Sequence, residues 1–199
     1  MAQPRDTPER LIRAAEQLFR VQGYSGTGLK QLTAEAKAPW GSLYHHFPAG
    51  KAELGAAAAR WAGGHYAEGL RRALASGASP GAAIESLFTA EARVLEGSGY
   101  RNGCPIAATT VDAASLDEGL RESCASAFSL WREAIADGLV RHGAAPAEAQ
   151  ALAQFTLSAL EGAIVLARAA RSPEALLVSG RLMRATVDRT ASAWRRPSA

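Results

Sequence analysis

Residues 40–51 read Trp40-Gly41-Ser42-Leu43-Tyr44-His45-His46-Phe47-Pro48-Ala49-Gly50-Lys51. Leu43 and Phe47 stand four apart, so a helix through this stretch turns both towards a core. It leaves Trp40, Gly41, Ser42, Tyr44 and His45 on its outer side. Pro39 suits a first helical position, and Pro48 with Gly50 breaks the run, so the spacing predicts a short helix over about 39–47. A short helix whose outer face carries hydroxyls, rings and a bare glycine has the size and chemistry to enter a DNA major groove.

Upstream, Thr7-Pro8-Glu9 predicts a helix start with Thr7 as N-cap; Leu11, Ala15, Leu18 and Phe19 recur at helical spacing, and Gly23 stops the run. Tyr24 to Gly26 form a loop, and Thr27 suits the cap of a second short helix with Leu29, Leu32 and Ala36 on one face. Lys37-Ala38-Pro39 then joins the second helix to the third through a tight turn. Three short helices joined in this way make a helix-turn-helix unit. Its candidate base readers are Trp40, Gly41, Ser42, Tyr44 and His45. The candidates for phosphate are the hydroxyls of Thr27, Ser42 and Tyr44 and the Lys51 ammonium, and Lys30 and Gln31 complete the set of candidate DNA contacts.

Downstream the pattern stays helical. Lys51 opens a long helix to about Ser76, weakened by Gly63, Gly64 and Gly69, and Ser79-Pro80 caps a fifth to about Glu96. A loop over 97–105 precedes a short helix from Ile106 to about Ala114 and a long one from about Leu116 to His142. Two more run from Pro146 to about Arg171 and from Pro173 to Trp194, with Ser172 as cap, ahead of a frayed tail at 195–199. No strand run appears. The expectation is an all-α chain, with a helix-turn-helix domain over 1–50 and a six-helix bundle over 51–199.

Charge sharpens the division. Residues 1–60 hold eight cationic and five acidic side chains, a surplus of three that equals the net charge of the whole 199-residue chain. A basic bias on the N-terminal unit suits a phosphate-facing surface. Hydrophobic residues at 48% and charged ones at 21% describe a folded chain, not a disordered one. Arg5, Asp6, Glu9 and Arg10 crowd the start where a secretory leader would be apolar, and no uninterrupted apolar run approaches the ~18 residues of a membrane span. A cytoplasmic chain without a membrane partner is expected, which disfavours a disulfide between Cys104 and Cys124.

The run from Gly41 to Pro48, with Gly50-Lys51 and Glu53-Leu54, resembles the signature of the tetracycline-repressor (TetR) family. The likeness extends back through Ala14-Ala15, Leu18-Phe19, Gly23-Tyr24, Thr27, Leu32 and Ala36. The extra glycine in Phe47-Pro48-Ala49-Gly50-Lys51, the triplet Gly103-Cys104-Pro105, and Leu160-Glu161-Gly162-Ala163 followed by Ala167-Arg168-Ala169 resemble the LmrA/YxaF-like branch. The resemblance implies nine helices, three for DNA and six for ligand binding and dimerisation. It also implies a homodimer through the final two helices, the segments holding Leu152, Phe155, Leu160, Ile164 and Leu176, Met183, Val187. Its partners would be a near-palindromic double-stranded operator and a small-molecule inducer. Two positions depart from the family: Trp40 stands where relatives commonly have lysine, and Lys37 where they have the turn glycine. The latter needs a left-handed backbone at a cost of about 1 kcal/mol.

Trp61, His65, Phe88, Phe128 and Trp131 are candidates to line a ligand cavity, with Glu161 as a polar partner inside an apolar helix. Residues 61–199 are neutral overall, which favours a mainly apolar, planar ligand over a nucleotide. No cofactor, metal site or catalytic residue is expected. His45 and His46 diverge by ~100° on a helix and cannot chelate together, and Cys104 has no acid–base partner at a recognisable spacing. The alternatives left by the residues are a helical-bundle enzyme, a dimeric binding protein without DNA recognition, and an activator in place of a repressor.

Overall fold

The Asp6 carboxylate starts the first helix by accepting the Glu9 N–H at 3.1 Å, with Pro8 behind it in the first turn. The computed structural model describes residues 6–75, 79–113 and 115–194. Among them are nine helices: α1 (Thr7–Gln22), α2 (Leu29–Glu35), α3 (Trp40–His46), α4 (Lys51–Ala75), α5 (Pro80–Gly97), α6 (Pro105–Ala113), α7 (Glu118–Arg141), α8 (Pro146–Ala170) and α9 (Glu174–Ala191). The expected ends at Ser76 and Ala114 and the tail at 195–199 lie outside the described residues.

The caps correct three expectations. Asp6 takes the place given to Thr7, whose hydroxyl instead accepts from Arg10 Nη2 at 3.1 Å. Gly28, not Thr27, precedes α2 and makes no side-chain cap bond. Pro173 precedes α9, while Ser172 Oγ still accepts the Glu174 N–H at 3.3 Å. Ser79 caps α5 as its sequence suggests, accepting from Ala82 N at 3.1 Å.

The chain packs as two units. The first comprises Met1–Gly64 and Cys104–Phe128. Leu11, Ala15, Leu32, Leu43 and Leu54 are fully buried there, with Phe19 at 2% exposure, so α1 to α4 share one core. α6 lies against α1. Its start is capped by the Cys104 thiol, which accepts from Ala107 N at 3.3 Å, and Asp117 accepts the Leu120 N–H at 2.8 Å where α7 begins.

The second unit comprises His65–Gly103 and Ser129–Ala199. Its tightest seam joins α5 to α9. The N–H of Gly81 and the hydroxyl of Ser79 both donate to Asp188 Oδ1 at 3.0 Å, so α9 supplies an acceptor to the start of α5. A Cβ at Gly81 would stand 2.5 Å from the Asp188 side chain, and one at Gly180 would stand 2.9 Å from Phe88 Cβ. Both glycines are therefore required by close approach. Arg184 adds an exposed ion pair to Glu85 at 2.9 Å. The loop before α6 is held from α8, where Arg168 Nη2 donates to the Arg101 carbonyl at 3.0 Å and packs against Gly103. Two short matches to the LmrA/YxaF-like branch, at Gly103 and Arg168, thus meet in space.

α8 departs from one expectation. By length and composition it is the one helix among the described residues apolar enough to cross a membrane, with mean hydropathy 1.3. Counting uninterrupted apolar runs passes over it because Gln150, Gln154, Ser158 and Glu161 break the run. Phe155, Val165 and Leu166 are more than half exposed along it.

Candidate nucleic-acid interface

The turn before α3 takes the strained backbone its sequence implies. Lys37 has φ 49°, and the turn closes with Lys37 N donating to Ala34 O at 3.0 Å and Ala38 N to Thr33 O at 2.9 Å. Arg10 Nη1 donates to the Lys37 carbonyl at 2.9 Å, so α1 clamps the residue that pays the conformational cost.

α3 then divides by face. Leu43 is fully buried and Phe47 is 6% exposed, whereas Trp40 is 48% and Tyr44 47% exposed. Their rings meet edge to face, 6.1 Å between centroids at 71°. Gly41 and His45 are exposed, and Ser42 and His46 are half-buried. His45 and His46 pack edge to face at 4.8 Å.

Around α3 the other candidate DNA contacts separate. Lys30 and Gln31 are exposed on α2, with the Gln31 and Gln22 amides exchanging bonds at 2.7 and 3.2 Å. Lys51 is half-buried, its Nζ 4.3 Å above the Tyr24 ring. Burial lowers its pKa, and the Asp112 carboxylate pulls the other way. Thr27 leaves the exposed set. It is 1% exposed, and its hydroxyl donates to the Gly23 carbonyl at 2.7 Å, so it locks the α1–α2 loop from inside.

Three contributors went unread in the sequence: Arg10 under the turn, Tyr24 under Lys51, and Asp112 of α6, whose Oδ2 accepts the Ser25 N–H at 2.9 Å. Ser25 and Asp112 lie 87 positions apart, and no local pattern pairs them.

The ligand candidates fall in separate settings. In the first unit, Trp61 carries the Arg13 guanidinium on its ring at 3.9 Å, and Phe128 is half-buried. In the second, Trp131 is 5% exposed and meets Tyr66 edge to face at 5.9 Å, while His65 is exposed beside Tyr66 at 5.4 Å. Phe88 is fully buried against Gly180, and Glu161 is half-buried on α8.

A family model described as bacterial regulatory proteins of the tetR family matches residues 11–58, and one described as the transcriptional regulator LmrA/YxaF-like C-terminal domain matches 80–181. The chain belongs to the TetR family. This TetR-family chain is 32% identical over 173 residues to the HTH-type transcriptional regulator YxaF of Bacillus subtilis, covering 87% of its own length and 91% of the relative's. It is 28% identical over 172 residues to the regulator LmrA of the same organism, covering 86% and 92%. The crystal structure of a TetR transcriptional regulator from Legionella pneumophila superposes with a TM-score of 0.77 at 23% identity, over 94% of this chain and 98% of that one. As a TetR-family member with an LmrA/YxaF-like C-terminal domain, the protein is an all-α DNA-binding transcriptional regulator, not an enzyme.

Proposed function

We propose that the protein is a ligand-released repressor working as a homodimer in the cytoplasm. Residues 1–50 carry the DNA-binding domain and residues 51–199 the regulatory one. Each copy lays the outer face of α3 in a major groove, the two grooves lying one helical turn apart, ~34–36 Å, on a near-palindromic operator. The observation that carries this reading is the division of α3, with Leu43 and Phe47 inside and Trp40, Gly41, Tyr44 and His45 outside. Ser42, Lys30, Gln31 and Lys51 flank that face as phosphate contacts. Thr27 serves by shaping the loop. A dimer across two grooves represses by occupying promoter DNA.

The pairing surface is the outer face of α8 and α9, where Phe155, Leu166 and Leu182 are 56%, 62% and 64% exposed in one copy. Trp131 with Tyr66 and His65 offers a mainly apolar small molecule an aromatic wall and one polar handle. Trp61, Phe88, Phe128 and Glu161 complete the candidate set. The inducer binds the DNA-releasing conformation more tightly and so shifts the population towards it.

Selection of duplexes from a random library with full-length protein, followed by promoter-reporter transcription, tests this reading. It expects an inverted repeat bound by one or two dimers, and lower transcription when the protein is present. Recovery of no common sequence would sink DNA recognition by α3. Raised transcription would replace repression with activation.

A further inference from the structure

Residues 40–46 are Trp, Gly, Ser, Leu, Tyr, His and His, so α3 holds no arginine, lysine, asparagine or glutamine. Those four side chains are the ones that grip a guanine or adenine edge with paired hydrogen bonds. What protrudes instead is apolar. Trp40 and Tyr44 are each about half exposed, 48% and 47%, and hold each other edge to face at 6.1 Å. Tyr44 has a stop on its other side, with ring atom Cε1 3.4 Å from where a Cβ at Gly50 would stand. Gly41, between the rings in sequence, has open space where its Cβ would be. Two large rings held out in water by packing, and not by a hydrogen bond, form a preorganised apolar surface.

The major groove displays one apolar group, the C5 methyl of thymine. We infer that Trp40 and Tyr44 read thymine methyls, so that this regulator selects its operator by apolar burial, with Ser42 and His45 adding single hydrogen bonds. This rests on the reading that α3 enters the groove. Trp40 is then a specificity-determining residue: its indole supplies preference for a methylated base edge, where a cationic side chain would supply affinity for phosphate.

The probe is the tightest duplex selected from a random library by the full-length protein, remade with 2′-deoxyuridine replacing one thymidine at a time. That change deletes a methyl group and keeps every hydrogen-bonding edge. One or two thymidines per half-site are expected to matter, each removal weakening binding about fourfold, the factor that burying one methyl supplies. Symmetric removal from both half-sites should weaken it about fifteenfold by the same constant. Trp40→Ala or Tyr44→Ala should bind the thymidine and deoxyuridine duplexes alike at its own position. Trp40→Leu, which keeps an apolar contact, should retain part of the preference. Circular dichroism and melting temperature check that each variant is folded, and half-exposed side chains leave the core intact.

The inference fails if wild-type protein binds both duplexes equally while Trp40→Ala still weakens binding, and α3 then stays on the DNA by other contacts. It also fails if the selected half-sites contain no thymine. If neither Trp40→Ala nor Tyr44→Ala alters affinity for the selected duplex, the placement of α3 in the groove falls with it.

Discussion

Asp112 works at a distance from its own helix. Its Oδ2 accepts the Ser25 N–H at 2.9 Å and also stands 2.7 Å from where a side chain at Gly23 would begin. Removing the acceptor in Asp112→Ala should cost about 1 kcal/mol, the ordinary net worth of such a bond, and Asp112→Asn should recover most of it. Urea midpoints measure both, and equal losses would mean that charge, not the bond, holds the loop. The two thiols offer a second check on residue placement. Cys124 is 1% exposed, and burial raises its pKa against a smaller opposing pull from its bond to Thr110, whereas Cys104 is half-buried. Native protein at pH 8 should therefore be alkylated first at Cys104, with Cys124 reacting only as the chain opens. Peptide mapping after a timed pulse decides the order; simultaneous labelling would contradict the burial of Cys124. At this scale the sequence was legible where a residue acts on near neighbours, as with Lys37, Leu43 and Phe47. It was illegible where Arg10 or Asp112 acts through a partner chosen by the fold, because composition and spacing carry no record of such pairings.

Helices were legible because each announces itself locally, through a Pro-led start, a four-residue apolar rhythm or a glycine stop. Which partner each apolar stripe meets was not. Ile164, Leu176, Met183 and Val187, expected on segments facing a second copy, are 5%, 0%, 3% and 0% exposed within one protomer. A stripe that faces its own core and one that faces another chain obey the same periodicity. Ile164→Arg would thus damage the protomer itself and say nothing about pairing. The α5–α9 seam makes its own prediction. Gly180→Ala brings a Cβ to 2.9 Å from Phe88 Cβ, and overpacking of about 1–3 kcal/mol should exceed the helix-propensity gain of about 1 kcal/mol. A lower melting temperature is expected, and Phe88→Leu in the same chain should soften the loss through coupling of the two sites. A stabilised Gly180→Ala would show that the seam yields freely.

For the molecule as a whole, the exposed rows of α8 and α9 must find cover or remain in water. Phe155→Arg or Leu182→Arg should leave the protomer folded, since both positions are more than half exposed, yet place a charge inside the proposed pairing surface at a cost of several kcal/mol. Light scattering should then report a single chain of 20.8 kDa in place of twice that mass. Operator binding should fall with it, because two half-sites need two linked readers. A dimer of unaltered mass in both variants would move the interface elsewhere. The same rows account for the hydropathy of α8, whose apolar side chains are divided between a protomer core and an outward face.

The cap of α5 has a consequence for synthesis. Gly81 and the Asp188 that receives its N–H are 107 positions apart, so the ribosome must add that whole length after α5 emerges before the joint can close. At the usual elongation rate of roughly 5–20 residues per second, this is a wait of about 5–20 seconds. Throughout it, Phe88 has no Gly180 to pack against, Glu85 has no Arg184 to pair with, and the nascent second unit stays open to chaperones. Every residue of the first unit precedes Ser129, so all of it has been synthesised before α9 is translated.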